Sequence, residues 1–118
     1  MTSDITDLQK RIQAFVDARD WGQFHNPKDL AITLSLEASE LLEHFQWKTP
    51  DEIAEHLKEH KSEVEDEISD VLWNLLLICN KLEVNPVEAF NNKFKKIEHK
   101  YPVSKAKGNH KKYTEHAE

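Results

Sequence analysis

The sequence predicts an all-α protein, an antiparallel helical bundle whose four-helix core is completed by oligomerisation. Three observations carry this expectation. The 118 residues include only two glycines and four prolines, so few positions break a regular element. Apolar residues recur at helical spacing, and no segment alternates with the period of a strand. Three cap-then-proline pairs, Asn26-Pro27, Thr49-Pro50 and Asn85-Pro86, mark helix starts, with the polar residue as cap and proline in the first turn.

The elements follow in order. A first helix starts after an N-cap at Ser3 or Thr6 and runs to about Arg19, with Ile5, Leu8, Ile12, Phe15 and Val16 on its apolar face. Gly22 interrupts the pattern within RDWGQFHNPKDL. The second helix spans about Pro27 to Phe45, with Leu30, Leu34, Ala38, Leu41, Leu42 and Phe45 inward. Thr49 caps a short helix, PDEIAEHLKEH. A third long helix covers about Lys61 to Leu82, with Val64, Ile68, Val71, Leu72, Leu75, Ile78, Cys79 and Leu82 as its core stripe. Asn85-Pro86 opens a fourth, with Val87, Phe90, Phe94 and Ile97 inward, and Tyr101-Pro102 closes it. Residues 1–102 therefore read as one helical domain and 103–118 as a polar C-terminal arm.

Composition narrows the function. Charged residues make up 32% and hydrophobic residues 38%, a balance that gives each helix a narrow apolar stripe and invites a second subunit to cover it. The net charge of −6 argues against a nucleic-acid polymer as partner. The longest apolar run is too short to span a membrane, and the polar start MTSDITDLQK is no signal peptide, so a cytoplasmic location is expected. Cys79 is the single cysteine and sits in an apolar run, as a core residue does. His56 and His60 lie four apart but without a further ligand nearby, which favours surface histidines over a zinc pair.

The acids are less ordinary. Glu37 and Glu40 lie three apart inside the apolar run LSLEASELLEHFQW, and Glu67 and Asp70 repeat that spacing on the third helix. Each pair shares one side of its helix, where like charges repel. Glu63, Glu67, Asp70 and Asn74 form one polar stripe. If the two helices pack face to face, four carboxylates converge, an arrangement that needs cations and suits Mg²⁺ with positions left for substrate phosphates. Spacing alone leaves two solvated acidic faces as an alternative. A di-iron bundle would require E-x-x-H on two helices, and none lies on this stripe.

SLEASELLEHFQW followed by EVEDEISDVLWNLL resembles the MazG-like all-α nucleoside triphosphate pyrophosphohydrolases, the superfamily that includes dimeric dUTPases. ARDWGQFHNPKDL, FQWK, KYPVSKAKG and KKYTE resemble its short dCTP pyrophosphatase branch. The resemblance implies Mg²⁺-dependent conversion of a (d)NTP to the monophosphate and pyrophosphate, by a homo-oligomer, dimer or tetramer. It implies that Glu37, Glu40, Glu67 and Asp70 are the catalytic, metal-binding acids. It further implies a nucleobase pocket with Trp21, His25 and Trp47, and a phosphate contact from Lys93. The implied substrate is dCTP or, because Asn74 and Ile97 depart from relatives at positions facing the nucleotide, a broader set of dNTPs including non-standard nucleotides. Trp73 has no such match and, beside core positions, reads as a packing or interface residue. From a different class, a helical interaction or scaffold protein that kept the fold without the chemistry is the alternative.

Overall fold

The computed structural model describes residues 4–108 and 110. Among these, regular structure is helical: α1 (Ile5–Ala18), α2 (Pro27–Glu43), α3 (Pro50–Leu82), α4 (Pro86–Lys100) and α5 (Val103–Ala106), with a single 3₁₀ turn at Gly22–Phe24 between α1 and α2. The chain forms two compact units, dividing between Val84 and Asn85.

Local chemistry sets the helix starts. Asn26 accepts from the Asp29 amide, Asn85 from the Glu88 amide, and Asp4 from the Asp7 amide. The first helix thus begins on Asp4, beside the expected Ser3. Thr49 and Glu52 exchange hydrogen bonds in a complete capping box. The short helix and the third long helix of the sequence reading are one element. α3 runs unbroken for 33 residues, with a kink at His60 (φ −124°, ψ 23°). No glycine or proline stands there, so the helix bends at the expected boundary instead of ending.

Pairings fix the topology of the first unit. Across α2 and α3, His44 meets His56, and Glu37 meets Glu67 and Asp70. Numbers fall on one helix as they rise on the other, so the two run antiparallel. Gln9 bonds Asn80 and Phe15 packs edge-on to Trp73, so α1 is antiparallel to α3 as well. The core is Ile12, Val16, Leu30, Leu76 and Leu77, with Ile5, Leu8, Trp73 and Ile78 against it.

Because α3 faces two neighbours, its buried residues do not form one stripe. Leu76 and Leu77 are buried, whereas Ile68, Leu72, Leu75 and Leu82 of the predicted stripe are exposed. On α2, Ala38 and Leu42 also face outward. In the second unit, Val87, Phe90, Phe94 and Ile97 lie on one side of α4 and remain exposed, with Phe90 and Phe94 stacked at 5.9 Å. The arm begins with the short α5; Lys111, Lys112 and the rest of 111–118 lie outside the described residues.

Candidate active site

Midway along the α2–α3 pair, one carboxylate oxygen each from Glu37, Glu67 and Asp70 lies within 4.8 Å of the other two. Helical spacing presents Glu37 from α2 and Glu67 with Asp70 from α3 toward one point. Glu40 stands outside this trio, exposed, yet near enough to raise the proton affinity of both Glu37 and Glu67. Glu37 and Glu67 are half-buried, and Oε2 of each is fully covered with no hydrogen-bond partner among the described residues.

Such atoms are costly in an apolar setting unless a proton or a cation answers them. Burial, then the neighbouring Glu40, Asp70 and Glu67, push Glu37 up from 4.5 to about 7. Glu67 is raised as well, by burial first and then by Glu40 and Asp70. Hard oxygen donors, clustered charge and two unanswered buried oxygens fit a divalent cation of the Mg²⁺ class. Glu37, Glu67 and Asp70 would hold it directly.

A stability consequence follows. The native protein retains a proton on Glu37 between pH 4.5 and about 7, where the unfolded chain has released it. Metal-free stability therefore falls as pH rises through that window, with the full penalty above pH 7. We expect Glu37→Gln to raise the melting temperature of metal-free protein at pH 8, and to leave it unchanged near pH 4. Added Mg²⁺ should raise the melting temperature of the unsubstituted protein at pH 8. Differential scanning calorimetry with and without chelator checks both.

One helical turn from the acids, Thr33 on α2 and Asn74 on α3 help to line a cavity of about 300 Å³. Trp21, Phe24, His25, Asp29 and Trp73 complete its polar and aromatic wall. The 3₁₀ turn after α1 positions Trp21 and His25. Trp21 packs edge-on to Phe15 at 5.6 Å, as Trp73 does at 5.4 Å. Asn74 is 7% exposed and donates Nδ2 to the Asp70 carbonyl at 2.8 Å, which links cavity and acids.

Of the residues singled out in the sequence, Trp21, His25 and Asn74 thus share one cavity. Trp47 does not line it. It sits in the α2–α3 connection with a left-handed φ of 65° and is 92% exposed. Lys93 belongs to the second unit, on an exposed position of α4. Trp73, read as packing, both packs on the core and lines the cavity. The sequence reading missed Asp29 and Thr33. The signal was there: 29, 33 and 37 step by four along one helix face and extend the acid stripe.

His56 and His60 also gain a neighbour. His44 Nδ1 lies 2.9 Å from His56 Nε2, the His56 and His60 rings stack at 4.8 Å, and His60 meets Glu63 at 3.0 Å. Burial, then Lys48, His60 and His44, lower the proton affinity of His56. Among the described residues no three of these ring nitrogens and carboxylates converge as the acid trio does.

Comparison with known proteins gives one direction. The MazG-like family model matches residues 32–115. A protein from Mus musculus named dCTP pyrophosphatase 1 is 32% identical over 113 residues, and its Homo sapiens counterpart 33%. These alignments cover 94% of this chain and 66% of either relative, so the chain spans slightly under two thirds of their length. A crystal structure of a pyrophosphatase from Archaeoglobus fulgidus superposes with a TM-score of 0.78 at 45% identity, covering 86% of this chain and 95% of that one.

Proposed function

The chain belongs to the MazG-like family, and from that premise we propose that it is a nucleotide pyrophosphohydrolase converting a (d)NTP to the (d)NMP and pyrophosphate. The observation that carries this reading is the convergence of Glu37, Glu67 and Asp70 one helical turn from an aromatic cavity. The pyrophosphatase names of its relatives support it. Among nucleotides, dCTP is the first substrate to consider, within a wider dNTP range that includes non-standard forms.

In this reading Glu37, Glu67 and Asp70 bind Mg²⁺, and Glu40, set beside them, adds negative charge to the same site. The bound cation supplies neutralisation of triphosphate charge and activation of water. The chain supplies position. α2 and α3 hold the acids on rigid backbone, and the cavity fixes the base so that the α-phosphorus lies over them. Trp21 offers a face for stacking and His25 a hydrogen bond. The exposed Trp47 would contribute a second stacking surface. Asn74 ties the cavity wall to Asp70.

The acting form is a homo-oligomer, dimer or tetramer, in the cytoplasm. Ile32, Leu36, Ile68 and Leu75 of the first unit stand 44–60% exposed, more apolar surface than a single chain comfortably shows to water. No described helix is long and apolar enough to cross a membrane.

Incubation with each common dNTP and NTP, with Mg²⁺ or with chelator, followed by chromatography, tests the reaction. Monophosphate and pyrophosphate, formed only with metal, are expected. Diphosphate and orthophosphate, or no product from the whole panel, would count against it. Sedimentation should give at least twice the mass of one chain; a monomer at micromolar concentration would contradict the assembly.

A further inference from the structure

Among the described residues, Asp29 is the one formally charged group in the cavity wall, and the proposed chemistry does not use its charge. It stands on the first turn of α2. Its Oδ2 accepts from Asn26 Nδ2 at 2.7 Å, and no cation pairs with it among the described residues. Oδ1 has no donor among the described residues. One turn on, Thr33 donates its hydroxyl hydrogen to the Asp29 carbonyl at 3.0 Å. That hydroxyl therefore meets a ligand only as an acceptor. Across the cavity, Asn74 Nδ2 is engaged by the Asp70 carbonyl, and its Oδ1 is a third acceptor. Trp21, His25 and Trp73 bring ring N–H groups to the rest of the wall, whereas its α2 side, the Asp29 carboxylate and the Thr33 hydroxyl, offers acceptors alone, and a base edge that meets that side must bring donors.

Resting on the nucleotide reading above, we propose that Asp29, assisted by Thr33, is the specificity-determining contact that selects bases carrying an exocyclic amine. Cytosine brings two N–H groups at N4. Uracil and thymine bring only N3–H, flanked by two carbonyl oxygens. Pointing that edge at Asp29 sets O4 against a carboxylate, and leaves acceptors that the bound base would cover without a donor. Sites built to hydrogen-bond a substrate group discriminate strongly against the analogue that lacks it. Position agrees with this role. Thr33 lies one turn from Glu37, and Asn74 one turn from Asp70, about 6 Å along the helix axes. A sugar bridges that gap between base and α-phosphate.

The test compares kcat/KM for dCTP and dUTP, and Kd for dCMP and dUMP by calorimetry, in the unsubstituted full chain, Asp29→Asn and Thr33→Val. The unsubstituted protein should prefer cytosine by at least about tenfold. Asp29→Asn, which keeps the shape but can donate to O4, should reduce that ratio at least about tenfold, mainly through KM and Kd. Thr33→Val leaves the Asn26–Asp29 cap untouched and should weaken dCMP binding with little change for dUMP. Equal handling of the two bases by the unsubstituted protein would overturn the proposal. So would ratios unchanged in both variants, while hydrolysis itself would leave the pyrophosphohydrolase reading standing. Asp29-dependent preference for dCMP without turnover of any triphosphate would separate the two the other way, and absence of nucleotide binding would end both.

Discussion

Glu67→Gln is expected to reduce turnover of dCTP on the order of a thousandfold while the protein stays folded. The factor corresponds to about 4 kcal/mol of lost transition-state stabilisation, in the range found when one preorganised electrostatic contact is removed. Glu67 contributes one of three converging oxygens and, among the described residues, one of two buried oxygens without a partner. Glutamine has the same shape, so packing is preserved. Its amide takes away a negative charge that burial, Glu40 and Asp70 oppose, so metal-free Glu67→Gln should melt no lower than the unsubstituted protein at pH 8. Loss of activity with stability intact marks a chemical role. Loss of both together would mark a structural one. Calorimetric titration with Mg²⁺ completes the comparison: the variant should bind the ion at least about tenfold more weakly.

The second large effect is on stability. Leu76→Ala should cost about 2–5 kcal/mol, because Leu76 is 2% exposed and truncation leaves a cavity among Ile12, Val16, Leu30 and Leu77. For a chain of this size that amounts to a melting temperature lower by roughly 10 °C or more. Leu76 touches α1 and α2 through α3, so the loss should be shared by the whole first unit in one transition. Leu36→Ala, at a position 60% exposed in the single chain, should change monomer stability little. If Leu36→Ala instead lowers the sedimented mass, the exposed face is where copies meet. Chemical denaturation followed by circular dichroism, at matched protein concentration, reads both.

What could be read in the sequence was whatever local chemistry decides. The caps at Asn26, Thr49 and Asn85 each fix a helix start through a side chain and an amide three residues on. The acid stripe was legible for the same reason, since spacing on a helix sets which residues share a face. What was hidden depends on neighbours. The apolar stripe of α3 was read as one face, but α1 and α2 cover it from two directions, which buries Leu76 and Leu77 and leaves Ile68 and Leu75 out. His60 bends α3 without any breaker residue, so no local signal could separate a kink from an end. The row of His44, His56 and His60 requires the α2–α3 hairpin to bring His44 alongside. The step of four from Asp29 through Thr33 to Glu37 placed these two residues on the acid face, but that they line a cavity shows only once Trp21, His25 and Trp73 are brought alongside.

The central claim is that Glu37, Glu67 and Asp70 gather the machinery for attack at the α-phosphorus. Hydrolysis of dCTP in heavy-oxygen water tests it most directly, with Mg²⁺ present and the label traced by mass spectrometry. The account predicts label in dCMP and none in pyrophosphate, with product lost on chelation and in Glu67→Gln. Label in pyrophosphate, or undiminished turnover in Glu67→Gln, would contradict it.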